Sequence, residues 1–246
     1  MKKSPARGLF FTGTDTGVGK SIVAGGVAGL LQKKGINVGV MKPVETGCLH
    51  KDGTFLPSDA RFLKDMSGVD TPLDEIVPYQ FKEPLAPSVA AERERVTIDI
   101  NLVVEKFEHL SRLHDIMLVE GAGGLLVPLY QKFLFIDLVK RFKLPLLIVS
   151  RATLGTINHT LLTLRAADAE KIPVAGIVIN TPSPERSVAS ETNPEVIARL
   201  VDVPVWGVVP YHGEIKPQFS CRETIVNLVE IHLNATCLSN LMPVKP

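Results

Sequence analysis

The segment Gly13-Thr14-Asp15-Thr16-Gly17-Val18-Gly19-Lys20-Ser21 constrains this chain more than any other. It follows a short apolar run at 9–12 and opens a helical stretch at 20–34. A strand that turns through glycines into a helix beginning Lys-Ser gathers backbone N–H groups and the positive end of a helix at one point. That arrangement suits phosphate. The general phosphate-loop pattern puts its first glycine at position 14, where this chain has Thr14, and Gly13 stands one residue earlier. The strict spacing fails, but the strand–loop–helix setting holds. The backbone from Gly13 to Gly19, Val18 included, is expected to cradle the phosphates of ATP. Lys20 is expected to reach the β- and γ-phosphates, and the Ser21 hydroxyl to meet Mg2+.

The rest of the chain repeats that alternation. Predicted strands cover 9–12, 37–42, 115–120, 146–150, 174–180 and 205–209. Predicted helices cover 20–34, 58–66, 98–113, 136–142, 156–170, 194–200 and 222–233. Gly35 is placed to end the first helix, Ser58 to cap the second, and Asn193-Pro194 to start the sixth. Gly25, Gly26 and Gly29 each cost that first helix ~1 kcal/mol relative to Ala, which predicts close packing against the sheet or another partner. Continuously apolar strands between helices imply a parallel sheet covered on both faces. No repeat or linker divides the chain, so 1–246 reads as a single doubly wound α/β domain of the P-loop type. The stretches 43–57, 68–94 and 181–192 read as loops.

Ligands of such sheets bind at the carboxyl ends of the strands. The residues there are Thr12-Gly13, Lys42, Glu120-Gly121, Ser150-Arg151, Asn180 and Pro210. Glu120 ends an apolar strand and precedes Gly121-Ala122-Gly123-Gly124. A carboxylate there can bind Mg2+ directly or through water, and glycines at 121 and 123 let the backbone approach a γ-phosphate. Lys42 is held extended by Pro43. Alone it reads equally as a solvated strand-end lysine, whereas with Lys20 it could form a two-cation clamp for phosphoryl transfer. Asp59, after Ser58, reads by itself as part of a helix start.

Composition excludes other classes. The net charge is +1 with Lys and Arg scattered, so no basic stripe for nucleic acid is expected. Apolar runs are of strand length, below the ~20 residues of a membrane span. The basic start 1–5 is followed by too short an apolar run for a signal peptide. Cys48, Cys221 and Cys237 form no CxxC pair and read as reduced thiols of a cytoplasmic protein. Asn234-Ala235-Thr236 matches the glycosylation pattern by chance on this reading. No Ser/His/Asp or Cys/His constellation offers a nucleophile.

Further segments carry a resemblance: Lys42-Pro43-Val44-Glu45-Thr46-Gly47, Ser58-Asp59-Ala60, Glu83-Pro84-Leu85-Ala86-Pro87, Val119-Glu120-Gly121-Ala122-Gly123-Gly124 and Leu154-Gly155-Thr156-Ile157-Asn158-His159-Thr160-Leu161-Leu162-Thr163. With the shifted phosphate loop, they resemble the dethiobiotin synthase family in order over about 8–230. The displaced glycine is that family's form. The resemblance implies an ATP-dependent cyclo-ligase of biotin biosynthesis that joins 7,8-diaminononanoate and CO2 through a carbamate and a carbamic–phosphoric anhydride. It implies catalytic Lys20 and Lys42, with Mg2+ on Ser21, Asp59 and Glu120. The phosphate loop, Gly121 and Gly123 would hold the nucleotide, whose base would meet Asn180 and Pro210. Thr16, Lys42 and Thr46 would line the substrate. Gly155, Thr156 and Asn158 would serve the neighbouring subunit's site in a homodimer, and free N–H groups at Gly155-Thr156 suit the substrate carboxylate. His159 is expected to pack or cap. Partitioning-type switch ATPases differ in carrying a lysine early in the loop, where this chain has Thr14-Asp15-Thr16.

Overall fold

The computed structural model describes residues 7–185, 187–213, 215, 221–239 and 241. The basic start 1–5 and parts of the stretch after Pro210 lie outside them. From the N-terminus, β1 (Gly8–Gly13) runs through the glycine loop into α1 (Lys20–Lys33). Then come β2 (Val38–Met41), β3 (Val44–Thr46), β4 (Leu49–Lys51), β5 (Thr54–Leu56), α2 (Ser58–Ser67), α3 (Leu73–Ile76), β6 (Tyr79–Phe81) and α4 (Pro87–Arg93). The middle holds α5 (Ile100–Leu113), β7 (Ile116–Gly124), β8 (Pro128–Tyr130), β9 (Phe133–Leu134), α6 (Phe135–Phe142), β10 (Leu146–Arg151) and α7 (Thr156–Ala169). The last part is β11 (Val174–Asn180), α8 (Val188–Leu200), β12 (Val205–Val209), α9 (Arg222–His232) and α10 (Ala235–Ser239).

Six strands form one sheet in the order β12-β11-β10-β1-β7-β2, every neighbouring pair parallel. They are the six predicted strands. Alternation along the central β1 sends Leu9 and Phe11 into one core with α1, α2 and α9, and Phe10 into another with α5 and α6. A third cluster lies between β10, β11, α7 and α8. The phosphate loop thus leaves the middle of the sheet, where both neighbouring strands hold its base.

The glycines of α1 pack as expected, and their partners are helices. Gly25 faces Phe62 and Met66 of α2, Gly26 faces Ile225 and Val229 of α9, and Gly29 faces Val226 of α9. The helix ends in a Schellman turn. Gly35, at φ 79°, donates to the Gln32 carbonyl at 2.9 Å, and the Ile36 N–H reaches the Leu31 carbonyl at 3.2 Å.

Two expectations are corrected. Helix α8 begins at Val188, and Ser187 caps it by accepting the Ser190 N–H at 3.1 Å. Pro194 therefore lies inside the helix, and Asn193 is buried, donating to the Thr153 carbonyl at 3.1 Å. The reciprocal Ser187–Ser190 bonds form a capping box that starts the helix well before Pro194. The stretches read as loops also hold short elements. β3 pairs with β6, and β4 with β5, but three-residue strands are too short to show a period. Among the described residues no helix is long and apolar enough to cross a membrane.

Candidate active site

The phosphate loop is held at both ends. Thr14 donates its N–H to the Val149 carbonyl of β10 at 3.0 Å, and Asp15 pairs with Arg151 at the end of that strand. Gly17 and Gly19 have φ of 71° and 94°, in the left-handed region that glycine alone enters freely. A Cβ at Gly13 would lie 2.6 Å from the Asp15 carbonyl and 3.0 Å from Lys20 Nζ. Glycine is needed at 13 because the Asp15 carbonyl of the loop backbone turns in so close to it. Thr14 is half-exposed and carries a side chain without conflict.

Three charged groups and a hydroxyl meet at the mouth of this loop: Lys42 just past β2, Asp59 in the first turn of α2, Glu120 in β7 and the Ser21 hydroxyl in α1. Lys42 Nζ donates to Glu120 Oε1 at 2.6 Å and to Asp59 Oδ2 at 2.8 Å. Ser21 Oγ donates to the same Glu120 Oε1 at 2.9 Å. Lys42 and Glu120 are almost wholly enclosed, with 3% and 1% of their side chains exposed. Burial alone would lower the Lys42 ammonium, but the Glu120 and Asp59 carboxylates outweigh it and hold its pKa above the usual value. The Lys42 charge holds Asp59 below its usual range, whereas burial pushes Glu120 up against the opposing pull of Lys42. Lys20 moves the other way: burial and then the Lys42 charge lower it to about 8.

The donor set fits Mg2+. That ion takes one or two carboxylates and completes its shell with phosphate oxygens and water, and Ser21, Asp59 and Glu120 offer two carboxylates and a hydroxyl. Glu120 Oε2 is buried without a hydrogen-bond partner, an acceptor aimed at nothing in the chain itself. Among the described residues no group of three or more His, Cys, Asp or Glu gathers at one point.

These groups line a cavity of about 310 Å³, together with Thr16, Gly17, Gly19, Thr46 and Gly123. Gly19 and Ile22 also border a second cavity of about 180 Å³ that contains Asn180, Pro210 and Tyr211. Asn180 donates to the Val18 carbonyl at 2.9 Å and stacks against Gly19, so it ties the loop to β11. Gly121 is buried under Phe10 and turns its carbonyl towards Lys42. An open trough of about 650 Å³ around His50, Phe55 and Lys82 holds none of the predicted residues, and its Arg93 and Glu83 already pair with each other.

Gly155, Thr156 and Asn158 border neither of the two loop cavities among the described residues. They start α7, where Gly155 has φ 88° and Leu154 is 88% exposed. His159 is exposed on the same surface, with its ring near Gly155.

The reading of Ser58 as a cap is corrected. Pro57 precedes α2 and makes no side-chain bond; Glu45 supplies the acceptors instead. Its Oε1 takes the Asp59 N–H and its Oε2 the Ala60 N–H, each at 2.9 Å. Glu45 is buried, lines the larger cavity and was not singled out from the sequence. A contact between a strand and a helix start thirteen residues on leaves no local periodicity to read.

A family profile described as an AAA domain matches residues 7–218. The ATP-dependent dethiobiotin synthetase of Thermodesulfovibrio yellowstonii is 48% identical over 85% of this chain and 90% of its own. That of Bacillus subtilis subsp. natto is 41% identical over 97% of this chain and 100% of its own. In structure the chain is similar to a chain of the MinC:MinD cell division protein complex of Aquifex aeolicus, with TM-score 0.57, 14% identity and coverage of 98% and 99%. It is also similar to a ParA family ATPase of Chlorobium tepidum TLS, with TM-score 0.54, 14% identity and coverage of 92% and 99%. At such identities those two likenesses speak for the P-loop NTPase-like fold alone. The full-length relatives and the phosphate loop with its displaced glycine agree, and the chain belongs to the family of ATP-dependent dethiobiotin synthetases.

Proposed function

We propose that the whole chain, 1–246, is one ligase domain that carboxylates 7,8-diaminononanoate with CO2 and closes the ureido ring of dethiobiotin, consuming ATP. The observation that carries this reading is the packing of Lys42 against Glu120 and Asp59 in the same cavity as Lys20 and Ser21. One substrate amine, unprotonated, adds to CO2 and releases a proton to give a carbamate. Two ammonium groups favour that step, because positive surroundings depress the pKa of the amine and stabilise the anion. A carbamate oxygen then attacks the γ-phosphorus, and the bond to the β-phosphate oxygen breaks to release ADP. The second amine attacks the carbonyl carbon of the carbamic–phosphoric anhydride, phosphate leaves, and the ring closes with loss of a proton.

The residues act by position and charge. Lys20 and Lys42 hold the carbamate and the γ-phosphate, while Thr16 and Thr46 line the substrate. The loop from Gly13 to Ser21, with Glu120, Gly121 and Gly123, surrounds the phosphates, and Asn180 and Pro210 border the base. Mg2+, held by Ser21, Asp59 and Glu120, would neutralise charge on the phosphate oxygens. Gly155, Thr156 and Asn158 lie outside this chain's own cavity, which supports their serving a partner's site in a homodimer. We assign the reaction to the cytoplasm, where three free thiols persist.

The test is dethiobiotin formation from 7,8-diaminononanoate, bicarbonate and MgATP by wild type and Lys42→Ala. Wild type is expected to turn over and Lys42→Ala to lose about 10²–10³-fold in kcat, the scale of removing one preorganised charge-stabilising donor. A wild type that forms no product refutes the reaction. Equal rates refute the role of Lys42.

A further inference from the structure

We infer that Glu45 is the positioning residue of the Mg2+ site, clamping the first turn of α2 so that Asp59 meets the cation already oriented. The inference rests on the assignment of Mg2+ to Ser21, Asp59 and Glu120 above. A helix start leaves four N–H groups without intrahelical partners, and Pro57, the cap position of α2, has no side chain able to accept them. Glu45 takes the N–H of Asp59 itself and of Ala60, both at 2.9 Å, and the Ser58 hydroxyl lies 3.4 Å from the same carboxylate. Both oxygens are engaged, so the turn is gripped at two points rather than tethered at one.

The clamp is itself anchored. Glu45 lies in β3 between Val44 and Thr46, in register with Tyr79, Gln80 and Phe81 of β6. Its own carbonyl accepts from Cys48 Sγ at 3.6 Å. The short β3–β6 ladder therefore fixes Glu45, Glu45 fixes the turn, and the turn presents Asp59 to Lys42 and the loop.

A cap for stability alone does not explain the choice of residue. Ser, Thr, Asp or Asn at position 57 would cap this helix locally. This chain instead buries a carboxylate, 3% exposed, beside a second carboxylate that repels it. The arrangement makes sense where the orientation of Asp59 matters more than the cost of the burial. Partners of metal-bound carboxylates behave in this way, and removing one typically lowers metal affinity about 10–100-fold.

The experiment uses the full chain and Mn2+ as a spectroscopic probe, titrated in the presence of a non-hydrolysable ATP analogue. Glu45→Ala is expected to weaken Mn2+ binding about 10–100-fold and to leave metal-free binding of the analogue unchanged. Glu45→Gln keeps one acceptor oxygen and is expected to fall between the two, which also carries the test if Glu45→Ala does not fold. A residue that only stabilises α2 would lower Tm in both variants and leave Mn2+ affinity unmoved below the transition, overturning the inference. Asp59→Ala separates the two readings. If Asp59→Ala loses Mn2+ and the Glu45 variants do not, only the role of Glu45 is wrong. If Asp59→Ala binds Mn2+ like wild type, the metal assignment fails and the role of Glu45 fails with it. Diaminononanoate takes no part, so failure of the ligase reaction would leave this result standing.

Discussion

Lys20 and Lys42 share one cavity, yet their surroundings drive them in opposite directions. Lys42 is clamped by two carboxylates and stays charged across the physiological range. Among the described residues Lys20 has no such pair, and burial with the nearby Lys42 charge brings it to about 8. In the free protein Lys20 loses its proton as pH rises through about 8. An arriving polyphosphate favours the charged form and raises that pKa. Binding of an ATP analogue at pH 8.5 is therefore expected to take up protons, and at pH 6.5, where Lys20 is already charged, Lys20 takes up none. Calorimetry in two buffers of different ionisation heat measures the uptake. Persistence of the same uptake in Lys20→Met would show that another group carries it. Legibility at this scale followed the backbone. Gly19, Lys20 and Ser21 announced themselves because a phosphate loop fixes their spacing, with Gly13 one residue off it. Glu45 did not, because its partners are the N–H groups of residues 59 and 60, and no spacing rule links a strand residue to a distant helix start.

At the scale of elements, the reading was sound where an element is long and buried. All six strands of the parallel sheet carried continuous apolar runs, and α1 ended at the glycine that its Schellman turn requires. It went astray at α8, where Pro194 suggested a start that Ser187 supplies. It could not resolve β3–β6 or the β4–β5 hairpin, whose strands pair only with each other. Helix α7 shows what a single chain leaves open. Its approach exposes Leu154 at 88%, and within the helix Leu162 is exposed at 59%. If this surface joins two copies, each leucine contributes ~1.5–3 kcal/mol when fully covered. Leu154→Glu with Leu162→Glu is then expected to weaken the dimer by at least about thirtyfold. Sedimentation over a concentration series reads the change. Turnover should fall with dimer content, since the start of α7 would no longer reach the partner's cavity. A variant that sediments like wild type at every concentration would exclude this face.

For the molecule as a whole, the six-stranded sheet is the common frame of both loop cavities. β1 supplies the phosphate loop, β7 supplies Glu120, β11 supplies Asn180, and β10 anchors Thr14 and Arg151. Whether that frame unfolds as one piece can be followed from the single tryptophan, which gives a local view of it. Trp206 is buried in the edge strand β12, and its indole N–H donates to the Ala175 carbonyl at 2.9 Å. It reports on the far side of the sheet, whereas far-ultraviolet circular dichroism reports on all the helices. If 1–246 is one cooperative domain, thermal unfolding followed by the two signals gives the same midpoint. Saturation with an ATP analogue and Mg2+ at a hundred times Kd adds about 2.7 kcal/mol. For a chain of this length that raises Tm by about 5–10 °C, and both signals should move together although Trp206 borders neither loop cavity. A Trp206 transition that stays in place while the dichroism shifts would divide the β12 edge from the nucleotide-binding core and refute the single domain.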